Sequence, residues 1–261
     1  MLRGALDSVV AQSYPNLELV ISDNASTDGT SEIIADYARR YPFIRVIRQP
    51  VTLTAIDNFM TVMREAGGEF FAWCAHDDTR SLDFVSSLLP AFVDPTTVLA
   101  FGDLYIWDGQ SPPQLRKDYG FANESLSPLG RLHKAANMQC YHIYGLWRLS
   151  ALRSIRYRYT HWWSDLPLIL AAAAGGTFRY VAGPEFRYYE VPKTAEARAA
   201  YQDNRVGNSR LANFAALYRS IFLTVGRSAG LWPAIASLCF VTDKYVREAF
   251  RRLVRIAGRR Q

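Results

Sequence analysis

Two acidic clusters hold the residues best suited to chemistry. Ser22-Asp23-Asn24-Ala25-Ser26-Thr27-Asp28-Gly29-Thr30 follows the apolar run from Leu17 to Ile21, and His76-Asp77-Asp78 follows Glu69 to Ala75. Adjacent carboxylates repel one another, and a hard divalent cation that prefers oxygen ligands, Mn2+ or Mg2+, relieves that repulsion. Such a cation commonly keeps substrate phosphates in its shell, so a metal and a diphosphate are implied together. The sequence contains no GxGxxG, no GxxxxGK[ST] and no HExxH, so neither the dinucleotide fold nor the P-loop explains the phosphate. A third carboxylate, Asp165, opens a helical pattern after His161-Trp162-Trp163-Ser164. It reads either as part of a helix cap or, buried beside two tryptophans, as a carboxylate with a raised pKa that serves as a general base.

The elements that must position these groups alternate in type. Leu2, Leu6, Val9 and Val10 make a helical stripe, Leu17 to Ile21 a short strand, and Thr30 to Arg40 a helix. A strand at Phe43 to Ile47, a helix at Ala55 to Glu65, a strand at Glu69 to Ala75, a helix at Ser81 to Phe92 and a strand at Val98 to Tyr105 follow. This order predicts an α/β fold with a mainly parallel sheet flanked by helices. Ligands of such sheets sit beyond the carboxyl ends of the strands, which places both acidic clusters on one rim. Ile106 to Ser127, rich in Gly, Pro and Ser, reads as a long surface loop. Beyond it, Met138 to Arg148 is aromatic and strand-like, Asp165 to Ala174 helical, Phe178 to Val181 and Phe186 to Tyr189 short strands, and helix predominates from about Ala195.

At 261 residues, with 49% hydrophobic and 21% charged, the chain is long enough for one large domain with an appendage, which excludes disordered and collagen-like classes. Three cysteines at spacings of 66 and 99 offer no CxxC pair, so a reduced, cytoplasmic setting is expected and a structural zinc site is not. The charge is uneven, net +8 from Tyr201 to Gln261 against net −2 for residues 1 to 200. The start lacks the pattern of a signal peptide, and the longest charge-free run, Ser228 to Thr242, falls short of the ~20 residues of a bilayer span. In the tail, Phe214, Leu217, Tyr218, Ile221 and Phe222 recur at helical spacing, and Tyr245, Val246, Ala249, Phe250, Leu253 and Val254 alternate with Lys244, Arg247, Arg251, Arg252 and Arg255. Such basic amphipathic helices either lie in the anionic inner face of a membrane or pack on the domain or on a second copy in a homo-oligomer. No nucleic-acid-binding module is recognisable.

Taken together, the stretch from Leu6 to Thr30 closely resembles the opening of family 2 glycosyltransferases with the GT-A fold. Gly68 to Asp78 resembles their metal-binding segment, and Gly145-Leu146-Trp147-Arg148 with Trp163-Ser164-Asp165 resembles their acceptor half. The resemblance spans roughly residues 1 to 189. It implies a GT-A-like domain over 1–193, with a nucleotide-binding half at 1–105 and an acceptor half at 106–193, followed by the helical extension at 194–261.

By resemblance, Asp23 accepts a hydrogen bond from the nucleotide base, most often uracil, while Asp28 braces the loop. Asp77 sits near the ribose or metal, and Asp78 is the principal metal ligand holding the diphosphate. Asp165 deprotonates the acceptor hydroxyl in an inverting displacement, and Arg187, after a short strand where relatives often place phosphate-facing residues, contacts the diphosphate or is simply solvated; Trp162 and Trp163, read from the residues themselves because they flank that base, either bind the acceptor or pack in the core. The implied reaction takes a sugar from a nucleotide-sugar donor, a UDP-sugar first of all, to a glycan or lipid-linked acceptor in surface polysaccharide or glycolipid synthesis. Three departures stand out: His76 replaces the first Asp of the family's DxD, Thr52-Leu53-Thr54 replaces an Asn-Leu-Gly turn, and the apolar strand that opens relatives has no counterpart before the first helix. The alternative reading is a non-catalytic nucleotide-binding or scaffold relative that keeps the acidic rim.

Overall fold

The computed structural model describes residues 1–116, 121–157, 165–190 and 210–257. It divides into two compact units, one formed by 1–122, 141–153 and 178–204, the other by 123–140, 154–177 and 205–261.

The first unit begins with helix α1 (Leu2–Val10), strand β1 (Leu19–Asp23), helix α2 (Thr30–Arg40), strand β2 (Ile44–Arg48) and helix α3 (Ala55–Glu65). β1 and β2 pair in parallel from Leu19 opposite Ile44 to Asp23 opposite Arg48, so the two strands end together. Leu6 of α1, Tyr37 of α2 and Ile44 of β2 form the core of this layer. The amphipathic spacing of α2 turns Ile34 and Tyr37 inward. α3 starts where Thr54 caps it, the hydroxyl accepting the Asp57 N–H at 3.1 Å.

The chain then builds a second sheet from β3 (Phe70–Phe71), β4 (Thr79–Arg80), β5 (Thr97–Trp107), β6 (Gln114–Leu115), β7 (Leu146–Arg148) and β8 (Thr177–Tyr189). Its order is β3-β7-β5-β8-β4, with β6 on β5. β3–β7, β4–β8, β5–β6 and β5–β7 are all antiparallel. β1–β2 is parallel and these four pairs are antiparallel, so the expected mainly parallel sheet gives way to a mixed one. These directions are set by tertiary pairing of strands far apart in the chain, as Phe71 with Trp147 and Thr79 with Arg187, and the alternation of helix and strand along the sequence does not reveal them.

Helix α4 (Phe84–Leu88) passes into a 3-10 turn at Leu89–Val93, shorter than the predicted helix because Pro90 cannot continue the α-helical ladder. Phe84, Leu88 and Phe92 pack there on Ala100 and Leu104 of β5, Leu146 and Phe186. The predicted short strands at 178–181 and 186–189 are one strand, β8, which passes so close to β5 that a Cβ on Gly102 would sit 1.9 Å from the Pro184 carbonyl oxygen. The aromatic stretch before β7 is a 3-10 turn, Cys140–Tyr144.

The second unit is helical. It contains α5 (Pro128–Ala136), α7 (Asp165–Gly175), α8 (Arg210–Ala229) and α9 (Leu231–Ala257), while α6 (Leu149–Ser154) belongs, except for Ser154, to the first unit. α7 is apolar almost all round, and Leu166 through Ala173 are buried. α8 and α9 form an antiparallel hairpin around Gly230, with the Tyr218 hydroxyl 2.8 Å from that of Thr242. Among the described residues no helix is long and apolar enough to cross a membrane.

Candidate functional site

The carboxyl ends of β1 and β2 form the first part of the site. Asp23, the last residue of β1, is buried at 3% exposure and fully engaged. One oxygen accepts the Ser26 N–H at 3.0 Å, and the other accepts the Ser31 hydroxyl at 2.6 Å and the Arg48 guanidinium. Burial pushes its pKa up, but the bonds from Ser31 and Ser26 and the charge of Arg48 outweigh it, and the net position lies below the ordinary aspartate value. The loop around it is tightly built. Ala25 takes a left-handed φ of +58°, and the Asn24 side chain holds Leu53 from both sides, its Oδ1 accepting the Leu53 N–H at 2.8 Å and its Nδ2 donating to the Leu53 carbonyl at 3.0 Å. Thr52-Leu53-Thr54 therefore still closes this rim in place of the Asn-Leu-Gly turn. Asp28 accepts the Thr30 N–H at 3.3 Å, a loop brace as expected.

The second part is the turn between β3 and β4. Asp78 is 1% exposed; one carboxylate oxygen accepts the Tyr189 N–H at 2.9 Å, while the other is buried without a hydrogen-bond partner. Burial pushes its pKa up to about 6, the nearby Asp77 adding to the rise and the Tyr189 bond and Arg80 opposing it. Asp77 keeps 18% side-chain exposure, with exposed His76 at 3.8 Å. A buried, donor-starved carboxylate oxygen next to a second carboxylate is a fit for a hard cation. Among the described residues no group of three or more His, Cys, Asp or Glu converges to hold a metal unaided.

Arg80, which sequence reasoning passed over, fixes this turn. Its guanidinium is buried against the rings of Phe84 (5.2 Å) and Phe186 (5.4 Å) and donates to the carbonyls of Trp73 and Tyr144, the latter at 3.2 Å. The bond to Trp73 spans Cys74 to Thr79, closing the acidic turn on itself. An arginine two residues beyond a predicted carboxylate ligand is the only signal the sequence offers. Arg48 and Ser31, which hold Asp23, were missed likewise, because only the strand register brings them to it.

The remaining predicted residues are dispersed. Arg187 lies on β8 opposite Thr79, half exposed and paired with Glu185 at 2.6 Å. Asp165, in the helical unit, opens α7; burial raises its pKa to about 6, and Cys140 and Lys244 lie within electrostatic reach of one another in the same unit. Trp162 and Trp163 lie outside the described residues.

Comparison with known proteins sets this geometry in a family. The model of Glycosyl transferase family 2 matches residues 1–148, more than half of the chain. TarS 1-349 of S. aureus, solved in complex with UDP, superposes with a TM-score of 0.60 at 16% identity, over 96% of this chain and 87% of that one. The mannosyltransferase PcManGT of Pyrobaculum calidifontis, solved with GDP-Man and Mn2+, gives a TM-score of 0.54 at 17% identity, over 98% and 76%. Among curated proteins, Rv1520 of Mycobacterium tuberculosis is 42% identical over 80 residues, 30% of this chain and 23% of that one. Abequosyltransferase RfbV of Salmonella typhimurium is 33% identical over 110 residues, 41% and 31%. These matches thus span less than a third of the curated relatives. The fold is that of GT-A glycosyltransferases, and the chain belongs to glycosyl transferase family 2.

Proposed function

We propose that this glycosyltransferase moves a sugar, with inversion, from a nucleoside diphosphate sugar, a UDP-sugar first of all, to a glycan or lipid-linked acceptor in surface polysaccharide or glycolipid synthesis. The observation that carries the metal and donor reading is the partnerless buried oxygen of Asp78 beside Asp77. Asp78, helped by Asp77, would hold Mn2+ or Mg2+, and that cation when bound stabilises the charge of the departing diphosphate.

The chain's own residues do the rest. Asp23 accepts the N–H of the base, and the donors from Ser26, Ser31 and Arg48 keep it ionised and fixed. Asp77, more open than Asp78, faces the ribose or the metal. Arg187 reaches the diphosphate by exchanging Glu185 for phosphate oxygens, a charge-assisted contact of the same kind. Asp165 takes the proton of the acceptor hydroxyl; at a pKa of about 6 it is ionised at neutral pH yet more basic than an exposed aspartate. Trp162 and Trp163, next to that base in the sequence, are the residues proposed to bind the acceptor.

The reading is tested by release of the nucleoside diphosphate from UDP-, GDP- and dTDP-sugars with Mn2+. The wild-type chain turns over one class, and Asp165→Asn retains nucleotide binding while losing about 10²- to 10⁴-fold in transfer. Unchanged turnover in that variant removes Asp165 from its role.

Contact with an anionic membrane face rests on the tail. At the turn of the α8–α9 hairpin Leu231 is 57% and Trp232 79% exposed, and residues 210–257 carry a net charge of +6. Apolar side chains and basic charge are the two attractions that hold a helix in such an interface. Co-sedimentation with phosphatidylglycerol vesicles, lost in Trp232→Ser, is the expected outcome.

A further inference from the structure

Beside Asp78 the structure holds an aromatic pair that none of these roles uses. Trp107 ends β5 and Tyr189 ends β8, their ring centroids 5.6 Å apart and their planes at 65°. The strand ends are locked together, since the Glu190 N–H donates to the Trp107 carbonyl at 2.8 Å. The N–H of Tyr189 is itself the donor on Asp78, so the pair is tied through one backbone group to the carboxylate read as the metal ligand. Gly109, at a φ of +83°, lets the following loop pass close by; a Cβ there would stand 3.2 Å from the Tyr189 ring. Trp107 also differs from the tryptophans of the core. Trp73 and Trp147 are 2% and 0% exposed, with their indole N–H groups on the carbonyls of Phe59 and Ile143, whereas Trp107 is 36% exposed.

A rigid, half-open aromatic ledge beside a charged site suits a ligand with one apolar face and polar edges. A pyranose ring has that character, with C–H groups on its face and hydroxyls around its rim. We infer that Trp107 and Tyr189 form a subsite on which a sugar ring stacks at the reaction centre. This inference rests on the glycosyl-transfer reading, and the ring arrives either with the donor or with the acceptor.

The test uses the full chain with Mn2+, comparing wild type, Trp107→Ala and Trp107→Phe, each checked by thermal melting. Calorimetry measures affinity for UDP and for the UDP-sugar that wild type turns over, and kinetics measures KM for saccharide acceptors. If the ledge holds the donor sugar, Trp107→Ala weakens the UDP-sugar about tenfold, leaves UDP unchanged, and Trp107→Phe restores most of the loss. If it holds the acceptor, donor affinity stays and the acceptor KM rises about tenfold with the same rescue. The subsite is overturned if Trp107→Ala moves neither quantity, or weakens UDP and UDP-sugar alike. A wild-type chain that binds and turns over no nucleotide sugar from the UDP, GDP and dTDP series overturns the donor reading, and the subsite with it; that failure shows before any variant is made.

Discussion

Asp23 and Asp78 are two aspartates of the same unit, both nearly inaccessible, and they have opposite electrostatics. Asp23 sits where a parallel strand pair ends and a helix begins, and Ser26, Ser31 and Arg48 crowd three donors onto it. Asp78 sits in a short turn closed by Arg80, receives one donor from Tyr189, and faces a second carboxylate. The first is held ionised by the protein and braces the rim. The second is held short of partners, which costs folding stability, and in the proposed reading a bound cation would offset that cost.

The contrast can be broken from either side. Asp78→Asn removes a buried charge whose pKa is raised from 3.8 to about 6, so thermal melting at pH 7.5 shows a gain of up to about 3 kcal/mol. Asp23→Ala acts in the opposite direction, stranding Ser31 and part of Arg48, with a loss of about 1–3 kcal/mol in urea unfolding. A loss in the Asp78 variant as large as that in the Asp23 variant would end the distinction.

Next comes Arg80→Met, which releases the acidic turn from the Trp73 carbonyl. It lowers Mn2+-dependent UDP affinity about tenfold, and Arg80→Lys recovers part of it, by calorimetry. Titration of pH separates the two carboxylates again. The folded pKa of Asp78 lies above its unfolded value, so the stability carried by its protonated form is present below about pH 4 and is lost as pH rises toward 6. Metal-dependent nucleotide affinity runs the other way, falling up to tenfold per unit below pH 6 as protons compete for that oxygen. Asp23, with its lowered pKa, contributes stability above the ordinary aspartate range that is lost only as pH falls through its folded value. The smallest effect belongs to Arg187→Ala, about threefold in UDP affinity, because its guanidinium is half exposed and already paired with Glu185.

Much of this was legible in the chain itself. The strand-then-acid pattern at Leu17 to Asp23 and the His76-Asp77-Asp78 cluster are local features, and both landed in the turns that follow strands. The helical stripes of α1, α2 and α3 were equally visible, because amphipathic spacing is a local property. What the sequence hid was long-range. Arg48 meets Asp23 only through the β1–β2 register, and the Tyr189 N–H reaches Asp78 across 111 positions. The mixed character of the second sheet was hidden for the same reason, since short strands such as Phe70–Phe71 carry too little pattern to reveal their direction. Trp107 fell within the stretch from Ile106 to Ser127 read as a loop, whereas β5 runs on to it and brings it beside Tyr189 at the end of β8.

The central claim is that Asp78 is kept short of donors so that it can hold a cation and, through it, a nucleoside diphosphate. Calorimetric titration of UDP into the wild-type chain and into Asp78→Asn, each with and without Mn2+ at pH 7.5, tests it most directly. The account predicts binding by the wild type only when Mn2+ is present and none by the variant. Binding that is indifferent to Mn2+, or that survives in Asp78→Asn, would contradict it.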